Sequence, residues 1–206
     1  MPNLAPSKIV CVGRNYVAHA RELGNEVPKE PLIFLKPPSS LIRSGESIRL
    51  PTVSKRVEYE GEIGVVVGAR LRKASAAEAR KAVAGIVAAN DVTARDLQKS
   101  DSQWTRAKGF DTFCAVGEVA TPPADLAALT VTTRVNGEVR QQGRGSEMVF
   151  DIPAILAYIS AVMTLEPGDL VLTGTPEGVG TLVPGDVVEV EIAGVSRVSN
   201  PVTSDD

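Results

Sequence analysis

Cysteine is scarce: Cys11 and Cys114 are the only two in 206 residues, and neither a Cys-x-x-Cys nor a paired Cys/His spacing occurs. That excludes a structural zinc site, and both cysteines stand in apolar runs, KIVCVG and TFCAVG, where a reduced thiol behaves as a small hydrophobe. Long apolar stretches are also missing. No window approaches the roughly 18 apolar residues that span a bilayer, and MPNLAPSKIVCVG lacks the basic and apolar regions of a targeting segment, so a cytoplasmic protein without a membrane partner is expected. Lysine and arginine, 22 against 25 acids for a formal charge of −3, form no cluster interleaved with aromatics, which leaves no footprint for nucleic acid. Several signatures are absent as well. LTGTPEGVG lacks the lysine of a Walker motif, and no G-x-G-x-x-G or G-x-S-x-G occurs, which counts against a dinucleotide fold and an α/β-hydrolase elbow.

What is present is an ordinary globular composition, 43% hydrophobic and 23% charged, at a length that suits a single domain over residues 1–206 with its core at about 8–200. Residues 8–12 read as a buried strand, and GRNYVAHARELG as a short helix opened by Asn15 and stopped by Gly24. LIFL is a strand between proline breakers, VEYEGEIGVVV at 57–67 is the longest β-like run, and Ser75 with Glu78 makes a capping box before AAEARKAVAG. GIVAAND is a buried strand, and DVTARDLQKSDSQWTRAKGFDTF is polar and poorly periodic. CAVGEVAT is a strand. VTTRVNGEVRQQG is a hairpin turning at Asn136-Gly137, and DIPAILAYISAVMTL is a helix with Asp151 as N-cap and Pro153 in its first turn. Pro-Gly-Asp turns at 167–169 and 184–186 each launch an apolar strand. Strands outnumber helices without β-α alternation. The expectation is an antiparallel or mixed β-rich core of α+β class with a few flanking helices, and a loose C-terminal tail, VTSDD.

The chemistry-bearing residues begin with Glu58, Glu60 and Glu62. Read as one strand, their alternation puts three carboxylates on one face, where they either converge on a cation or form a solvated outer face. Asp91, the first acid after the apolar GIVAAN, is placed to face a cleft or else to cap TARDLQ. Oxygen ligands without cysteine or histidine favour Mg²⁺ or Mn²⁺, a Lewis acid suited to a 2-oxo acid. His19, the only histidine, precedes Glu22 by three residues. On a helix these are neighbours, either a carboxylate-oriented general base or a surface pair. Lys108 in AKGFDTF suits an oxyanion or a substrate carboxylate, or is simply solvated. Arg95 and Gln98 in TARDLQ, and Gly174, Thr175 and Gly178 in LTGTPEGVG, offer further groups for substrate oxygens.

Taken in order, GRNYVAHARELG, PLIFLKPPSSLI, EYEGEIGVVVG, ANDVTARDLQ, KGFDTF and LTGTPEGVG resemble the fumarylacetoacetate hydrolase family over residues 8–200, in particular its short single-domain members: acylpyruvate hydrolases, oxaloacetate decarboxylases or tautomerases, and isomerases of 2-hydroxyhepta-2,4-diene-1,7-dioate. The resemblance implies a mixed β-roll or sandwich of the fumarylacetoacetase C-terminal type and a homodimer. It implies magnesium ligands at Glu60, Glu62 and Asp91, leaving Glu58 out, and a water-activating dyad of His19 and Glu22 on a lid-like segment. It further implies substrate contact by Lys108 and by Arg95, Gln98 and Thr175. The expected activity is hydrolysis of a carbon-carbon bond in an acylpyruvate-like 2,4-dioxo acid. Isomerisation or decarboxylation at the same site is the close alternative, and a metal-stabilised module that binds a 2-oxo acid without catalysis is the alternative of a different class.

Overall fold

The computed structural model describes residues 4–205. Among them fifteen strands and five short α-helices, numbered here in chain order, form three sheets. The largest runs β2 (Leu32–Lys36), β1 (Ile9–Gly13), β12 (Leu170–Leu172), β6 (Gly61–Val67), β7 (Val83–Asp91), β9 (Cys114–Val116) and β3 (Leu41–Arg43). It is mixed: β1 is parallel to β12 and β3 to β9, and the other pairs are antiparallel. A second sheet runs β11 (Glu138–Arg144), β10 (Thr130–Val135), β14 (Val187–Ile192), β15 (Ser196–Ser204) and β4 (Ile48–Leu50). A third, minimal sheet joins β13 (Gly180–Thr181), β5 (Val57–Tyr59) and β8 (Thr93–Ala94).

Strand parity splits the apolar residues of the large sheet between two cores. Val10, Val12, Ile63, Val65, Ile86, Ala88, Ala115 and Val171 pack with Val131, Val188, Val190, Ile192 and Val198 of the second sheet. The opposite parity, Ile9, Cys11, Val66, Val87, Ala89, Cys114, Val116, Leu170 and Leu172, forms a separate cluster. Cys11 on β1 and Cys114 on β9 share that cluster although β12, β6 and β7 lie between their strands, so the sheet curls around it. The architecture is the expected β-rich roll with few helices, and both cysteines are free and buried in it.

The parity that builds the inner cluster also delivers charge to its mouth. Glu62 pairs with Ala89, Asp91 with Cys114 and Lys36 with Ile9, so all three side chains project to the inside of the curl. The helices frame this opening: α1 (Val17–Glu22), α3 (Arg95–Ser100) and α4 (Thr105–Lys108) stand beside it, and α2 (Ala76–Lys81) packs on α5 (Ile152–Val162) elsewhere. The local signals act as read at α2, where Ser75 and Glu78 close the capping box, at α5, where Asp151 Oδ1 accepts the Ala154 amide at 2.8 Å, and at Asn136-Gly137, with φ of 53° and 82°.

Four expectations require correction. Asn15 does not cap α1. Tyr16 holds the cap position, and the buried Asn15 amide instead donates to the Thr173 and Phe150 carbonyls at 2.8 and 3.0 Å and accepts the Phe150 amide at 2.8 Å, tying three segments together. Residues 57–67 are not one strand: the run breaks at Glu60, and β5 and β6 enter different sheets. CAVGEVAT is strand only at Cys114–Val116. The tail is not loose as far as it is described, because β15 continues to Ser204 and pairs through Val202, Thr203 and Ser204 with β4. The polar stretch after Asp91 contains α3, over the helix-like TARDLQ, and α4, which its weak periodicity did not reveal. No helix among the described residues is long and apolar enough to cross a membrane.

Candidate active site

The break at Glu60 decides the geometry of the acids. Beside it, a Cβ on Gly61 would stand 1.8 Å from Thr133 Oγ1, so only glycine lets the second sheet approach this closely. Glu58, Glu60 and Glu62 are all buried, which removes the solvated-face reading, and the interruption at Glu60 puts Glu58 and Glu62 in different sheets. Glu60, Glu62 and Asp91 each present an oxygen within 4.8 Å of the others, whereas Glu58 is engaged by Arg95 Nε at 2.7 Å and Arg56 Nε at 2.6 Å. Asp91 is no helix cap, since Ala94 precedes α3 without a side-chain cap.

Three cations surround the triad. Arg95, the first residue of α3, donates from Nη2 to Glu60 Oε1 at 2.6 Å and from Nη1 to Gln98 Oε1 at 2.6 Å, besides its bond to Glu58. Lys108, at the end of α4, reaches Glu60 Oε2 and Asp91 Oδ2 at 2.7 Å each, and its Nζ lies 5.0 Å from the Phe34 ring centroid. Lys36 holds Asp91 Oδ1 at 2.6 Å and the Val92 carbonyl at 3.1 Å. Glu62 has no side-chain partner. Its Oε2 accepts the Gly174 amide at 2.6 Å from a backbone at φ 99°, where a Cβ would meet Asn15 Cβ at 2.7 Å.

These neighbours set the acidities. Burial pushes Glu62 well above the ordinary carboxylate range, and the charges of Asp91 and Glu60 add to the rise. Burial acts upward on Glu60 too, but Lys108 and Arg95 outweigh it and hold this carboxyl well below its usual range. For Lys108, desolvation works against the charge, yet Asp91 and Glu60 more than compensate, so it stays an ammonium. Three hard oxygen donors converging in a buried site, one of them raised by crowding, form a donor set that fits Mg²⁺ or Mn²⁺.

The triad opens into a small cavity of about 50 Å³, with His19, Lys108, Arg95, Gln98, Thr175 and Arg14 among its lining residues. His19 is buried, with Nδ1 3.2 Å from Glu22 Oε2, and the other Glu22 oxygen accepts the Gly178 amide at 3.0 Å. Tyr59 Oη donates to the Gly178 carbonyl at 2.9 Å, so the loop that holds Glu22 is itself fixed. The pair thus joins a buried imidazole to a carboxylate at the surface. A proton on Nδ1 directed at Glu22 leaves Nε2 as the basic nitrogen. Thr175 lines the cavity, but its hydroxyl already donates to the Gly61 carbonyl at 2.9 Å and accepts from Gln141 Nε2 at 2.8 Å. Phe34 and Trp104, edge to face at 5.3 Å between centroids, supply an apolar wall.

Of the residues read from the sequence, His19, Glu60, Glu62, Arg95, Gln98, Lys108 and Thr175 line the cavity; Glu22 acts on His19 from behind, Asp91 meets Lys108, and Glu58, Gly174 and Gly178 do not line it, the two glycine amides being taken by Glu62 and Glu22. Lys36, Arg14, Phe34, Trp104 and Gln141 were not anticipated. Lys36 alone carried a signal, the charge that closes the apolar LIFLK as Asp91 closes GIVAAND.

Known proteins resemble this chain in sequence and fold. An oxaloacetate decarboxylase of Dictyostelium discoideum is 44% identical over 195 residues, 91% of this chain and 89% of its own length. The crystal structure of 2-hydroxyhepta-2,4-diene-1,7-dioate isomerase from Mycobacterium marinum is 47% identical with a TM-score of 0.90, covering 98% of this chain and 76% of the other. Fumarylpyruvate hydrolase from Pseudomonas aeruginosa, solved with Mn²⁺ and pyruvate, is 28% identical with a TM-score of 0.91, covering 97% and 91%. The signature described as fumarylacetoacetate (FAA) hydrolase C-terminal matches residues 8–203. With nearly the whole chain covered by one signature and by relatives of this identity, the chain belongs to the fumarylacetoacetate hydrolase family.

Proposed function

We propose that the protein is a Mg²⁺- or Mn²⁺-dependent hydrolase of the carbon-carbon bond in acylpyruvate-like 2,4-dioxo acids, releasing pyruvate and a carboxylic acid in the cytoplasm and working as a homodimer. The observation that carries this reading is His19, backed by Glu22, lining the same cavity as Lys108 and two of the three clustered carboxylates, Glu60 and Glu62. A divalent ion held by Glu60, Glu62 and Asp91 would supply Lewis-acid withdrawal of electrons from the 2-oxo carboxylate end. His19 Nε2 takes a proton from water while Nδ1 donates to Glu22, and the water oxygen adds to the distal carbonyl carbon. The bond between that carbon and the pyruvyl methylene then breaks, its electron pair passing to the pyruvyl part as an enolate. Lys108 donates to the oxygen on which charge develops, and the imidazolium returns its proton to carbon. Gln98 Nε2 and Arg95 border the substrate space, while the Phe34 and Trp104 rings shield the enolate from bulk water.

The likeness to an oxaloacetate decarboxylase favours a second reading, in which the same electron sink serves tautomerisation or decarboxylation of an oxaloacetate-type diacid. A third, binding of a 2-oxo acid without catalysis, leaves the oriented imidazole without a task. Product analysis after incubation with acetylpyruvate, oxaloacetate and 2-hydroxyhepta-2,4-diene-1,7-dioate, each with Mn²⁺ or Mg²⁺, separates them. Stoichiometric pyruvate and acetate from the first supports hydrolysis; turnover of oxaloacetate alone supports the second reading; no turnover of any substrate overturns the enzymatic proposal.

A further inference from the structure

Glu60 and Asp91 are held in the same way. Each gives one oxygen to a side chain anchored elsewhere: Glu60 Oε1 to Arg95, which also binds Glu58 and Gln98, and Asp91 Oδ1 to Lys36, which also binds the Val92 carbonyl. Each gives its second oxygen, at 2.7 Å, to the single ammonium of Lys108. We infer that Lys108 and the divalent ion are alternative occupants of one position: Lys108 is the built-in counter-ion of Glu60 and Asp91, and a bound ion displaces it. The inference rests on the metal reading above and adds to it that Lys108 becomes free for substrate only in the loaded protein, so that binding the ion and arming the lysine are one event.

The oxygens decide the matter. Glu60 Oε1 and Asp91 Oδ1 already accept from buried cations that other groups anchor, so the oxygens most open to an ion drawing on these acids would be those of Glu62 and the two that Lys108 holds, Glu60 Oε2 and Asp91 Oδ2. An ion drawing on those two oxygens would lie close to the ammonium that spans them, and two cations at such a separation repel strongly. Of the three basic residues Lys108 is the one able to give way. Lys36 does not line the cavity, and Arg95 is engaged by three side chains; Lys108 lines the cavity and has, beyond the two carboxylates, only the face of Phe34. Burying Glu60 and Asp91 side by side with no cation between them is costly, which gives the displaced ammonium a defined role before the ion arrives.

Two measurements test this. In calorimetric titration of EDTA-stripped protein with Mn²⁺, K108M is expected to bind the ion about tenfold or more tightly than the parent, a gain of about 1.4 kcal/mol. Because removing any nearby positive charge strengthens binding to some extent, the parent protein supplies the second readout. Its Lys108 ammonium, detected by nitrogen-carbon correlation NMR and protected from solvent exchange by two carboxylates, is expected to shift or exchange away on saturation with Mg²⁺ while the Lys36 signal persists. Equal or weaker Mn²⁺ affinity in K108M, or a Lys108 signal unmoved by bound Mg²⁺, overturns the exchange and leaves the metal site intact. Failure of the parent to bind either ion overturns both.

Discussion

His19 Nδ1 faces Glu22 Oε2 at 3.2 Å, and the second Glu22 oxygen is fixed by the Gly178 amide, so the only imidazole in the chain is oriented from behind by an anchored carboxylate. His19→Ala is therefore expected to lower kcat by about 10²- to 10⁴-fold, the usual worth of a positioned general base, while Mn²⁺ affinity stays at the parent value. Glu22→Gln, which keeps the shape but weakens the orientation, gives a smaller loss of kcat with little change in KM. Equal turnover in His19→Ala and parent removes the base from the account.

Glu58 tests the choice among the acids. Its partners are Arg95 and Arg56 rather than the other carboxylates, so Glu58→Gln leaves Mn²⁺ binding within a few-fold while costing about 3 kcal/mol of stability by breaking a buried pair. Glu62→Gln weakens Mn²⁺ binding by about a hundredfold or more, because one of three charged oxygen ligands is neutralised. Titration calorimetry with Mn²⁺ and urea unfolding of both variants separate the roles; a Glu58→Gln variant that loses the metal makes Glu58 a ligand.

A structural carboxylate gives the pH prediction. Asp169, in the first Pro-Gly-Asp turn, is buried, accepts the Glu166 amide at 2.8 Å and the Ser7 hydroxyl at 2.6 Å, and pairs with Lys8. Burial acts to raise it, but the Glu166 amide, Lys8 and Ser7 outweigh burial and hold it below the ordinary value. The folded protein thus binds this proton less readily than the unfolded chain. The stabilisation is complete above the unfolded value of about 3.9 and disappears as pH falls through the folded one. Asp169→Asn is expected to cost about 1–3 kcal/mol at pH 7, the penalty of disturbed buried donors, and the gap to the parent narrows as unfolding is measured at successively lower pH below 4.

The sequence exposes features whose cause is local and hides those that depend on the curl of the sheet. Ser75-Glu78, Asp151 and Asn136-Gly137 act through neighbours a few residues away, and each does in the fold what its spacing implies. Asn15 sits where a helix cap belongs, yet its amide is drawn to Thr173 and Phe150, more than 130 positions distant, and nothing near it signals that. The alternation of Glu58, Glu60 and Glu62 reads as one strand face, but the strand is interrupted at Glu60 and Glu58 falls outside the cluster of three close acids, bound by Arg56 and by an Arg95 that it shares with Glu60. The resemblance to the family leaves Glu58 out of its implied ligand set, and in the fold the close cluster is likewise Glu60, Glu62 and Asp91. Arg95 and Lys108 lie in a stretch without helical periodicity because α3 and α4 are too short to show one, and their side chains serve the cavity rather than a core.

Anomalous X-ray scattering from a crystal grown with Mn²⁺ and oxalate, a stable stand-in for the enolate of the leaving pyruvate, tests the central claim most directly. A single strong peak within coordination distance of Glu60, Glu62 and Asp91, with oxalate beside it and His19 facing the same space, is the predicted result. A map in which these three carboxylates bind no manganese contradicts it.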